Sequence, residues 1–166
     1  MNAMCVDSAA LTGQVVGDVL ASAFDGAGQR CSALRVLCLQ DDVADHTLKM
    51  LRGAMAECRM GNPGRLTTDN GPVIDAEAKA NIENHIQTMR AKGRPVFQAV
   101  RENSEDAREW RTGTFVPPTL IELASFDELK KEVFGPVLHV VRYNRNNLNE
   151  LVEQINASGY GLTLGV

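Results

Sequence analysis

An α/β fold, a three-layer sheet with helices on both faces, is the architecture this sequence predicts. Two observations predict it. Apolar runs of strand length alternate with longer segments whose apolar residues recur at helical spacing, the pattern of a sheet with helices packed on it. The chain has 166 residues, 44% hydrophobic and 23% charged, which suffices for one sizeable core and predicts one domain over residues 1–166.

Residues 3–6 read as a short strand. Asp7, Ser8 and Thr12 offer helix-start signals, and Val15, Val16, Val19, Leu20, Ala23 and Phe24 recur at helical spacing until Gly26 and Gly28 end the helix. Residues 34–39 are a β-branched and leucine-rich strand, after which Asp41 and Asp42 open a helix with Val43, Leu48, Leu51 and Met55 on one face. Gly61-Asn62-Pro63-Gly64 is a turn and Gly71-Pro72 a second break. Residues 75–92 predict a long helix with Ile82, His85, Ile86 and Met89 inward and Gly93 as its stop. Residues 95–100 are a candidate strand, and residues 101–111 a charged excursion expected on the surface. Residues 115–123 could be extended, but Pro117-Pro118 rule out a central, fully hydrogen-bonded strand there. A helical turn at 126–129, a strand at 137–143, a helix at 148–155 and a strand at 162–166 complete the series. Both ends look cut, so a segment truncated from a longer chain is expected, with the status of residues 1–3 left open.

The net charge of −4 and pI near 5.4 argue against a nucleic-acid contact by this segment. No apolar run approaches the roughly 20 residues of a transmembrane segment. Cys5, Cys31, Cys38 and Cys58 match neither a metal knuckle nor a disulfide framework, so reduced thiols in a cytoplasmic protein are expected. His46, His85 and His139 are scattered, and no metal site is predicted.

Cys31 is the one thiol placed for chemistry, on a glycine-broken turn between a helix and an apolar strand. The other three fit strand or helix faces as core residues. A second unusual segment is Lys131-Glu132-Val133-Phe134-Gly135-Pro136, which puts a carboxylate and a ring ahead of a strand. Read alone, Glu132 is a solvated carboxylate and Phe134 a core plug. Arg30 and Arg35 read as surface charges, although Arg35, inside an apolar strand, calls for a buried carboxylate partner.

Gly28-Gln29-Arg30-Cys31 followed about a hundred residues later by Glu132-x-Phe134-Gly135-Pro136 resembles the catalytic half of the aldehyde dehydrogenase superfamily. Gly61-Asn62-Pro63, Gly71-Pro72, Phe115-Val116-x-Pro118-Thr119 and Asn156-x-x-x-Tyr160-Gly161-Leu162 extend the likeness over nearly the whole chain. Asn2-Ala3-Met4, Val6-Asp7-Ser8, Ala21-Ser22-Ala23-Phe24 and Cys31-Ser32-Ala33-Leu34-Arg35 resemble the glutamate-semialdehyde (pyrroline-5-carboxylate) dehydrogenases, above all the module of bifunctional bacterial proline-utilization enzymes.

The resemblance implies an NAD-dependent dehydrogenase of proline catabolism that oxidises glutamate semialdehyde to glutamate. A thiohemiacetal and then a thioester form on the cysteine. It implies Cys31 as nucleophile, its N–H as an oxyanion donor, Ser32 as a contact to the substrate carboxylate, and Glu132 and Phe134 as cofactor contacts to the ribose hydroxyls and the nicotinamide. FAD is implied only for a proline dehydrogenase domain, if the parent is bifunctional. A homo-oligomer is expected in full length. The family's general-base glutamate is expected before Met1, the NAD-binding half lies outside this chain, and the fragment alone is expected to be inactive. Cys31 follows a helix C-terminus, where the macrodipole disfavours a thiolate, so the nicotinamide, the base or Arg30 must supply the activation. Two alternatives stay open: a dehydrogenase for another aldehyde, and a non-catalytic assembly module in which the thiol is incidental.

Overall fold

The computed structural model describes residues 1–100 and 112–166. The excursion expected at 101–111 lies outside the described residues. Among the described residues, six strands form one sheet: β1 (Asn2–Val6), β2 (Leu34–Gln40), β3 (Val96–Gln98), β4 (Thr119–Leu123), β5 (Val137–Tyr143) and β6 (Leu164–Gly165). Their order is β3-β4-β5-β2-β1-β6, with β3 antiparallel to β4 and every other pair parallel.

Helices α1 (Thr12–Phe24) and α2 (Asp41–Glu57) bury Val16, Val19, Ala23 and Phe24, and Leu48, Leu51 and Met55, on one face, against Leu37, Leu39, Leu120, Leu138 and Val140. Helices α3 (Ala76–Ala91) and α4 (Leu148–Ala157) cover the other face, where Ile82, Ile86, Met89 and Leu151 share a core with Val36, Cys38, Ile121, Val137 and Val141. Successive strand residues thus divide between two cores, as the period-2 pleat requires. The three-layer expectation holds.

Three local expectations shift. Pro117 and Pro118 stay outside the ladder, yet β4 begins at Thr119 and is paired on both sides, so it is an interior strand. The Pro118 carbonyl accepts from Ala99 N–H at 3.0 Å, a bond that uses the acceptor a proline still has. On α2, Val43 is only half-buried, and Ala44 takes the inward position. Strand β6 shrinks to two residues at the sheet edge.

One register break positions the site. Asn2 pairs with Leu34 and Ala3 with Val36, so Arg35 is the extra residue of a bulge in β2. A bulge re-aims a side chain out of the strand's alternation, which is how a guanidinium fits within this apolar run.

Candidate active site

The thiol turn is built by three consecutive left-handed residues. Helix α1 passes into a 3-10 turn over Asp25–Gly28 in which Gly26 (φ 61), Ala27 (φ 54) and Gly28 (φ 64) all have positive φ. Two of the three are glycine, the residue that adopts this region without a Cβ penalty. Ala27 pays that penalty inside the core, where it is 1% exposed. Gly28 carries a second demand, because a Cβ there would meet Gly135 O at 2.3 Å and Ala23 O at 2.8 Å. A Cβ on Gly135 would crowd Ile82 Cδ1 on α3, so that the isoleucine side chain would have to turn aside. The thiol turn and the segment carrying Glu132 and Phe134 therefore dock backbone to backbone.

Arg35 joins the same two segments through its side chain, which is 1% exposed. Its Nε donates to Glu132 Oε1 at 2.9 Å, Nη1 donates to Gly28 O at 2.6 Å and Gly135 O at 3.2 Å, and Nη2 donates to Arg30 O at 3.2 Å. The guanidinium carbon also lies 4.8 Å from the Phe134 ring centroid, within cation–π range. The carboxylate partner that Arg35 calls for is thus Glu132, half-buried and not sunk in the core, and Arg35 is not a surface charge. Glu132 is 26% exposed, and its Oε2 has no hydrogen-bond partner among the described residues. Phe134, 47% exposed, is a half-open ring rather than a core plug.

Arg30 is likewise engaged away from the thiol. Its Nη2 donates to Ala21 O at 2.7 Å and Ser22 O at 3.1 Å, capping the last carbonyls of α1. A cation at this end offsets the negative pole that would oppose a thiolate on Cys31. Asn2, a site residue that sequence reasoning missed, holds the turn from β1. Its Nδ2 donates to Cys31 O at 2.7 Å and Ala33 O at 3.0 Å, and its Oδ1 accepts from Thr163 N–H at 3.2 Å. The Cys31 N–H has no acceptor among the described residues.

Of the four cysteines only Cys31 is exposed. Cys38 is buried in β2 opposite Cys5 of β1, and its hydrogen bond to Cys5, followed by burial, pushes its thiol up. Burial, then the charge of Asp69, pushes the Cys58 thiol up.

Two clefts open beside the turn. One, of about 310 Å³, is lined by Gln29, Ile74, Ile82, His85, Glu132 and Phe134. Gln29 ties the thiol turn to this cleft's far wall, its Oε1 accepting from Ile74 N–H at 2.8 Å. The other, of about 240 Å³, includes Ser32, Ser22, Asn2, Thr163 and Leu164. The structure thus brings Glu132 and Phe134 together and places Ser32 on a separate cleft. Below the first cleft, His85 Nε2 meets His139 Nε2 at 2.9 Å and His139 Nδ1 meets Arg35 O at 3.2 Å. The carbonyl requires Nδ1–H on His139, so His85 is the Nε2–H donor in this pair. Burial, then the charge of His85, holds His139 down at about 3. Among the described residues, no group of three or more His, Cys, Asp or Glu is arranged for a metal, and no helix is long and apolar enough to cross a membrane.

The aldehyde dehydrogenase family model matches residues 1–166. The chain belongs to the aldehyde dehydrogenase family. It is 87% identical to bifunctional protein PutA of Escherichia coli (strain K12) over 166 residues, which are 100% of this chain and 13% of that protein. A crystal structure of bifunctional proline utilization A superposes with a TM-score of 0.91 at 46% identity, over 100% of this chain and 16% of that one. A point mutant of betaine aldehyde dehydrogenase from Staphylococcus aureus, crystallised with NAD+ and a BME-modified cysteine, gives 0.87 at 27% identity, over 98% and 33%. This family chain therefore spans about an eighth of the PutA proteins it matches.

Proposed function

We propose that this chain is the thiol-bearing part of an aldehyde dehydrogenase domain in a longer PutA-like protein, which oxidises glutamate semialdehyde to glutamate with NAD. The observation that carries this reading is the single assembly of the exposed Cys31 turn, Glu132 and Phe134 around buried Arg35. The NAD-binding half lies elsewhere in the longer protein. The choice among aldehydes rests on likeness to PutA.

The residues fit a nicotinamide riboside in chemistry. Glu132 Oε2 is a charged acceptor without a partner among the described residues, suited to a ribose hydroxyl, and Phe134 offers an apolar ring beside the same cleft. NAD, when bound, supplies the hydride acceptor. Cys31 Sγ adds as thiolate to the aldehyde carbon, forming the C–S bond of a thiohemiacetal, while the free Cys31 N–H donates to the developing oxyanion. Loss of hydride from that carbon leaves a thioester on Cys31, which water cleaves to the acid and the free thiol. Ser32, which lines the separate second cleft, is the residue assigned to the substrate carboxylate. Glu132 fixes the ribose and moves no proton.

In the full-length protein, Cys31→Ala abolishes dehydrogenation and leaves NAD affinity nearly intact. Unchanged turnover would place the chemistry on another residue. The chain alone oxidises no aldehyde, and NAD-dependent turnover by it would contradict the division proposed here.

A further inference from the structure

From this geometry we infer that Arg35 is a positioning residue: one buried guanidinium sets the thiol turn and the cofactor carboxylate in a fixed mutual geometry. The inference rests on the roles proposed above for Cys31 and Glu132. Each of the three guanidinium nitrogens is committed. Nη1 and Nη2 take the Gly28 and Arg30 carbonyls on the thiol side, and Nε and Nη1 take Glu132 Oε1 and Gly135 O on the cofactor side. Its planar fork gives these bonds fixed directions, which a point charge cannot do. Binding Oε1 also decides which carboxylate oxygen faces the cleft, since Oε2 alone is left without a partner among the described residues. The bulge at Arg35 supplies the reach, and the His139 hydrogen bond to the Arg35 carbonyl holds the backbone there.

Hydride transfer depends on the distance between the carbon on Cys31 and a cofactor held by Glu132, so a device that fixes both ends governs rate more than affinity. The test uses the full-length protein in a double-mutant cycle of Arg35→Lys and Glu132→Gln. It reads single-turnover hydride transfer, NAD affinity and iodoacetamide alkylation of Cys31 without cofactor. Arg35→Lys keeps the charge and loses the fork. It is expected to slow hydride transfer about tenfold or more, to change NAD affinity less, and to alter the alkylation rate by about threefold or more. In the Glu132→Gln background the further loss in hydride transfer falls to about twofold or less, because the two residues act as one unit. Additive losses, or an unaltered alkylation rate, would overturn the inference and reduce Arg35 to packing.

Should Arg35→Lys fail to fold, Glu132→Asp leaves Arg35 in place and withdraws its partner by one methylene. Altered Cys31 alkylation then supports the coupling, and an unaltered rate overturns it. Normal turnover in Cys31→Ala, or hydride transfer and NAD affinity both normal in Glu132→Gln, would defeat the site assignment itself. With those variants behaving as expected, an additive cycle defeats Arg35 alone.

Discussion

Replacing Gly28 with alanine puts one methyl group where the thiol turn meets the segment that carries Glu132 and Phe134. Its Cβ would lie 2.3 Å from Gly135 O, 2.7 Å from Gly135 C and 2.8 Å from Ala23 O, all backbone atoms with no rotamer to move aside. The residue also sits at φ 64, which costs an L side chain about 1–2 kcal/mol. Overpacking adds about 1–3 kcal/mol, giving a loss of about 2–5 kcal/mol in all. Gly26 is the internal control, because its φ of 61 is similar but nothing lies within 4 Å of its Cβ. Gly26→Ala should therefore cost only the backbone share, about 1–2 kcal/mol. Urea denaturation of both variants measures the difference, and Cys31 alkylation reports whether the turn has moved. Equal losses at the two positions would refute the close approach of Gly28 to Gly135 as a fixed contact.

Glu132→Gln retains an oxygen for Arg35 Nε but removes the charge offered at Oε2, so hydride transfer slows, or NAD binding weakens, by about one to two orders of magnitude. Alkylation of Cys31 stays near the wild-type rate; stopped-flow data showing normal hydride transfer with slow thioester hydrolysis would make Glu132 the base instead. The buried His139, facing His85 of α3 and the Arg35 backbone of β2, stays neutral far below the usual histidine value of 6.5. Between about 6.5 and 3 the unfolded chain takes up a proton that the folded chain refuses, so this contribution to stability is full above 6.5 and is lost as pH falls. His139→Asn should shrink the stability difference between pH 7 and pH 5 by about 2 kcal/mol in denaturant titrations, and an unchanged difference would contradict the depressed value.

The sheet and its helices were legible because β2, β5, α1 and α3 carry strong periodic signals bounded by glycine or acidic residues. Edge elements were less so, since β3 and β6 are stabilised by pairing and not by their own composition. Cys31 stood out from its glycine-broken turn, and Arg35 from the mismatch between a guanidinium and an apolar strand. Its partner did not, because Glu132 lies 97 residues away and meets Arg35 only through the strand order and a bulge. Asn2 entered only as part of the Asn2-Ala3-Met4 likeness, since nothing at a strand start shows an asparagine's role until its amide is seen on the Cys31 carbonyl. His85 and His139 read as scattered helix and strand positions, and only the packing of α3 on β5 makes them a pair.

In the function proposed above, the exposed thiol of Cys31 carries the acyl group. Acid-quenching the full-length protein during turnover with aldehyde and NAD, followed by peptide mass mapping, tests it directly. The expected result is an acyl adduct on Cys31 that disappears when NAD is omitted. An adduct on Cys5, Cys38 or Cys58, or turnover with none on Cys31 under conditions that preserve thioesters, would contradict it.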